Sequence, residues 1–251
     1  MLKINLIRRL LWAFVITIAL GVANTASADP ILPGFDLFHT RPGTFHIIPG
    51  IGFVSFMGGT PLIDGTNTDT IVERLGGIDP LPLNGTGMID IVLRELSLQS
   101  VAPVNIGGMF FDISAIAAPM QALGSMTIVH SSVDGGVFIS TLPVSVILTF
   151  TPVGGGLPFI TTFSTILTSN CLWSLTPPPG YPMPGQFPSG GFFVVGTCVE
   201  ISTTFDPITH LPTEVHVVEP ASVPEPATLL LLASGLMGIA GFGRKKISRK
   251  K

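Results

Sequence analysis

Glycine and proline punctuation constrains this chain more than any other feature. The sequence holds 29 Gly and 23 Pro in 251 residues, and no long stretch between Asp29 and Ser222 sustains a helical hydrophobic period. Between the breaks stand short runs rich in Val, Ile, Thr and Phe, residues that fit a pleated surface. Short β-compatible runs bounded by Gly and Pro clusters are the pattern of an all-β sandwich or barrel. The expectation is a single antiparallel β-sandwich-like domain over residues 29–222, since no internal repeat or composition break divides them.

The clearest strand lies at residues 144–151, where Val144, Val146, Leu148 and Phe150 alternate with Ser145, Ile147, Thr149 and Thr151. Residues 126–129 and 137–140 flank Asp134-Gly135-Gly136 and predict a hairpin with a short glycine turn. Further strand candidates are residues 45–56, 106–113, 159–168, 192–197 and 213–218. Residues 87–98 fit two templates. Ile89, Val92, Leu93 and Leu96 fall at helical spacing, and they also fit a strand whose alternation slips near Arg94-Glu95, as at a β-bulge. The β neighbours favour the strand.

Cys171 and Cys198 are the only cysteines, and a proline-rich stretch, residues 177–185, lies between them. In an oxidising compartment such a pair closes into a disulfide. We expect two strands carrying the cysteines, stapled near the base of a long irregular loop. No His/Cys companion set accompanies them as a metal site would require.

Both ends read as addresses. Lys3, Arg8 and Arg9 precede an apolar run over residues 10–23, and Ala26-Ser27-Ala28 supplies a small-residue cleavage pattern with Asp29 as the expected mature N-terminus. These are the three parts of a secretory signal peptide, assigned to residues 1–28 and implying signal peptidase as a processing partner. At the other end Val223-Pro224-Glu225-Pro226 is followed by an uncharged apolar run over residues 227–243 and a basic segment, residues 244–251. The run is at the short end of what spans a bilayer, so a transmembrane helix is expected there, with the basic residues held on the cytoplasmic side. The tail, residues 223–251, resembles the PEP-CTERM sorting signal of Gram-negative bacteria. That resemblance implies recognition by an exosortase, a membrane-embedded transpeptidase. It also implies an inner-membrane-anchored intermediate, delivery to the envelope, surface or extracellular matrix, and an association with exopolysaccharide and biofilm.

From Asp29 through Glu225 the basic residues are Arg41, Arg74 and Arg94, set against all fifteen carboxylates, a net charge of −12. Such a surface repels nucleic acid, whose binding depends on Lys and Arg. The residues 64–69, Asp-Gly-Thr-Asn-Thr-Asp, crowd oxygen groups into a turn of a kind calcium favours, with Asp64, Asn67 and Asp69 as candidate ligands. The EF-hand pattern is not met, and an Asx-rich turn accounts for the same residues. No other cofactor is implied. The five histidines form no His-Glu-x-x-His or His-x-His pattern, no Gly-x-Ser-x-Gly elbow is present, and Gly154-Gly155-Gly156 has no Walker lysine beside it. Trp173, Tyr181, Phe187, Phe192 and Phe193 cluster around the proline-rich loop, either to pack it or to offer faces to sugars. The expectation is a non-enzymatic structural or adhesive module. The alternatives are a matrix-acting glycosidase or esterase, whose carboxylates would meet only in space, and a calcium- or carbohydrate-binding module.

Overall fold

The computed structural model describes residues 30–79, 81–181 and 189–223. The described residues hold thirteen strands and no helix: β1 (Gly34–Thr40), β2 (Phe45–Ile48), β3 (Gly52–Gly58), β4 (Thr70–Arg74), β5 (Thr86–Ser100), β6 (Val104–Ile106), β7 (Met109–Ala117), β8 (Gly124–Ser132), β9 (Gly135–Pro152), β10 (Phe159–Ser174), β11 (Phe193–Val195), β12 (Cys198–Ser202) and β13 (Glu214–Pro220). The signal segment and the apolar and basic parts of the tail, with the helices expected there, lie outside the described residues.

The sheet closes on itself. Going around the wall, β1 pairs with β4, β4 with β5, β5 with β8, β8 with β9, β9 with β10, β10 with β12 and β12 with β13. The ring is completed by β13 and β1 through Phe38↔Pro220, His39↔Glu219 and Thr40↔Val218. This is a closed eight-stranded antiparallel barrel, which corrects the sandwich expectation. The physical reason is strand length. Glycine and proline suggest short strands, yet β5, β9 and β10 run for 15, 18 and 16 residues. Each changes partner along its length. One part of β9 pairs with β8 and the next with β7, and β5 makes the same change. A sheet of long, coiled strands joined edge to edge packs its apolar face against itself, so the core is the barrel interior.

Pro143 shows how a proline sits inside such a strand. It faces Ile166 across the β9–β10 ladder, and the Ile166 carbonyl accepts from Thr203 on the side away from β9. The pair is therefore a non-hydrogen-bonded one. The position of the missing N–H of Pro143 then falls where β9 passes from β8 to β7, a place with no ladder bond to lose. The slip expected near Arg94-Glu95 is present: Ile71 faces Glu95 while Val72 faces Leu93, leaving Arg94 as the extra residue of a bulge. The β8–β9 hairpin is likewise formed, with Ser132 facing Gly135.

Inside, Phe56, Leu98, Ile113, Ile128, Phe138, Leu148 and Phe150 belong to one continuous cluster. The Cys171–Cys198 disulfide, with a Cα separation of 5.4 Å, joins β10 to the start of β12 across the base of the proline-rich loop. Beside it Trp173 stacks on Phe192 at 5.2 Å, and its indole N–H donates to the Val129 carbonyl at 3.2 Å. At the opposite end, the β9–β10 hairpin overhangs the shorter β12–β13 hairpin. There Phe163 plugs the interior by packing on the His46 ring at 3.9 Å.

Candidate functional site

The barrel encloses a polar cluster that strand periodicity places. Cys198 and Val218 point inward, so the period of two turns Glu200 and Ser202 on β12 and His216 and Glu214 on β13 to the same side. Thr40 and the residue preceding β4, Asp69, face them. The Glu200 carboxylate stands 3.0 Å from His216 Nδ1, and His216 Nε2 is 3.1 Å from Thr40 Oγ1. The Thr40 hydroxyl donates to Asp69 Oδ1 at 2.7 Å, as does the Thr70 hydroxyl at 2.9 Å, and the Thr40 N–H donates to Asp69 Oδ2 at 2.8 Å. His39 Nδ1 lies 2.9 Å from the same oxygen. Gly58 makes room for this, since a Cβ there would collide with the Asp69 carboxylate. Every donor in the chain meets an acceptor if His216 carries two protons. Burial pushes His216 down, but the Glu200 bond and the charges of Glu200, Asp69 and Glu214 outweigh it and raise its pKa.

Two atoms of the cluster stand apart. His46 Nε2 and Glu214 Oε2 are buried without a hydrogen-bond partner. His46 Nδ1 donates to the Thr213 carbonyl at 3.2 Å, and burial lowers the ring's pKa to about 4. Burial together with Glu200 raises Glu214 to about 7, against the pull of His216. The cavities they line measure about 20 Å³ by Phe163 and about 10 Å³ by His216. The first fits one water-sized group, and neither fits a sugar ring. The wider depressions lie on the outside, about 390 Å³ beside Met57, Pro103 and Asp112 and about 490 Å³ over Ile139, Asn170 and Val199.

These shifts give a signed prediction. Glu214 contributes stability that is full below its ordinary 4.5 and is lost as pH rises through about 7. His46 does the reverse: its contribution is full above its ordinary 6.5 and is lost as pH falls toward about 4. The slopes oppose each other in the window between. In Glu214→Gln the His46 slope is exposed, so the variant gains up to roughly 3 kcal/mol relative to wild type as pH rises from about 4.5 to 6.5. Urea titrations at stepped pH read this directly, and parallel curves for the two proteins would refute the assignment.

The candidate calcium residues are placed as follows. Asp69 is buried and spends both oxygens on the donors above. Asn67 Oδ1 accepts from the Ser222 N–H at 2.7 Å, and the Asn67 N–H donates to the Ser222 carbonyl at 3.1 Å. Asp64 stands exposed in the intervening turn. No three His, Cys, Asp or Glu side chains come together as a metal site among the described residues. The turn thus holds the chain where the tail begins: Ala221 donates to Leu37, Ser222 is gripped by Asn67, and Val223 donates to Gly180 at 2.9 Å. Val223 is the one residue of the Val-Pro-Glu-Pro motif within the described residues. Pro224, Glu225 and Pro226, and the cleavage residues Ala26, Ala28 and Asp29, lie outside them. Of the loop aromatics, Trp173, Phe192 and Phe193 are buried and pack the loop, Tyr181 meets Phe193 edge-on at 5.2 Å, and Phe187 lies outside the described residues.

Sequence reasoning passed over the interior cluster. The available signal was phase: once Cys198 is inward for its disulfide, Glu200 and Ser202 must follow. Arg74 carried a similar signal, sharing the face of Val72 on β4. It is fully buried, 3.1 Å from Asp36, donating to the Leu32 and Ser189 carbonyls, with its guanidinium 4.7 Å from the Phe192 ring centre.

The geometry defines an all-β, disulfide-closed barrel whose last strand leads straight into a C-terminal signal. The PEP-CTERM protein-sorting motif matches residues 222–245. The chain is therefore a PEP-CTERM sorting-domain protein, an exported exosortase substrate directed to the cell envelope of Gram-negative bacteria. No curated protein and no solved structure matches the chain.

Proposed function

We propose that the barrel is a non-enzymatic structural or adhesive module, delivered by its tail to the envelope or extracellular matrix and associated there with exopolysaccharide. The observation that carries this reading is the filled interior. Glu200, His216 and Asp69 are turned inward and bonded into one chain through Thr40, and Glu214 and His46 face only cavities of about 20 and 10 Å³. The wide surfaces of the molecule are on its outer wall. A second reading, a matrix-acting hydrolase, is favoured by one feature: Glu214, at about 7, has the pKa of a general acid and lies near Glu200 and His216. Incubating the protein recovered from cells with the matrix polysaccharide of the same cells separates the two. Retention on the polymer with no release of reducing ends is the expected result. Release of reducing ends that is abolished by Glu214→Gln would replace the first reading with the second.

A further inference from the structure

The overhanging hairpin leaves a strand edge bare. β9 covers one side of β10 along its whole length, while on the other side β12 and β11 reach only Leu167–Ser169 and Leu172–Ser174. The reason is local: the Thr213 N–H donates to the Thr204 carbonyl at 2.9 Å, turning the chain toward β13 just after it meets Ile166. Because the Ile166 carbonyl faces that side, alternation aims the N–H and C=O of Ile160, Thr162 and Ser164 the same way. Among the described residues no backbone group pairs with them. The edge has none of the usual protections: residues 159–165 contain no charge, no proline and no bulge, and their side chains are β-formers.

Charge distribution says what fits it. Residues 29–225 carry a net charge of −12, yet residues 135–199 contain no Asp, Glu, Lys, Arg or His. A second copy approaching elsewhere meets like charge; along this hairpin it does not. We propose that the β10 edge is a homotypic interface, at which Ile160, Thr162 and Ser164 pair antiparallel with the same residues of a second copy about a two-fold axis through Thr162. The pairing is self-complementary: Thr162 faces Thr162 of the other copy, Ile160 faces Ser164, and each residue exchanges both its backbone bonds. Leu157, 91 % exposed, and Ile160, 65 % exposed, are the apolar surfaces it would shelter. This inference is independent of what the module binds in the matrix.

The test is sedimentation across a dilution series, with hydrogen exchange read at residues 159–165, on the protein as recovered from cells. Wild type is expected to dimerise, with the amides of Ile160, Thr162 and Ser164 gaining protection as concentration rises. Thr162→Pro removes a donor that β9 does not use, and it is expected to raise the dissociation constant by about tenfold or more. Ile160→Lys, which places two like charges across the axis, is expected to do the same and serves if the proline variant fails to fold. A wild-type protein that stays monomeric, or a dimer unaffected by the substitution that folds, would overturn the proposal.

Discussion

Arg74→Met is expected to lower the free energy of unfolding by about 3–5 kcal/mol, the cost of leaving a buried charge without its partner. Arg74 is fully buried, and its guanidinium is the counter-ion of Asp36, which is 2 % exposed. Burial already raises the Asp36 pKa even with Arg74 pulling it down. Without the arginine the carboxyl must either remain as an unpaired anion or take up a proton. The Leu32 carbonyl also loses its donor and the Ser189 carbonyl keeps only the Phe192 N–H, and these come from segments that close the barrel end beside the proline-rich loop. For a domain of this size the melting temperature should fall by roughly 10 °C. Asp36→Leu combined with Arg74→Met removes the stranded charge and should recover a large part of the loss, as replacement of whole buried pairs does elsewhere. A single variant as stable as wild type would show that the pair is solvated in solution and not the internal tie described above.

The second large effect is expected at the disulfide. Cys171→Ser with Cys198→Ser should cost about 3–4 kcal/mol, the loop-closure entropy of a bridge across 27 residues. The stretch it closes contains the proline-rich segment, and residues 175–181, at the start of that stretch, carry no strand. Trp173 is two residues from Cys171 and stacks on Phe192 at the far side of the loop, so its fluorescence follows the same unfolding. Reduction of the wild-type protein should reproduce the shift of the double variant. If neither changes the denaturation midpoint, packing of Trp173, Phe192 and Phe193 holds the loop and the bridge is dispensable.

What could be read from the sequence was local. The alternation at 144–151, the turn at Asp134-Gly135 and the slip at Arg94 each depend on neighbours within a few residues, and each is present in the fold; the Cys171–Cys198 pairing spans 27 residues but joins the only two cysteines. Closure of the barrel depends on pairings such as Phe38↔Pro220, which no local pattern encodes. Residues 137–140 and 144–151 read as separate strands, yet both belong to β9, with Pro143 between them at a position whose N–H has no ladder bond to make. The interior cluster was partly legible. Glutamate and histidine at alternate positions of β12 and β13 signal inward polar groups once the phase is known, but phase comes from Cys198 and Val218, and their direction is a property of the closed wall. The 64–69 turn reads either as an Asx-rich turn or as a calcium loop because its oxygens are close in sequence. In the fold Asn67 serves Ser222 at the start of the tail and Asp69 serves Thr40, partners 155 and 29 residues away along the chain, as well as its neighbour Thr70.

Intact mass of the protein from native envelope and medium fractions, with and without reduction, decides whether the barrel is exported, sorted and held by its disulfide. The expected species begins at Asp29, lacks the apolar run of residues 227–243, and gains the mass of two hydrogens on reduction. A sole species that retains the tail through Lys251 and does not change on reduction would contradict it.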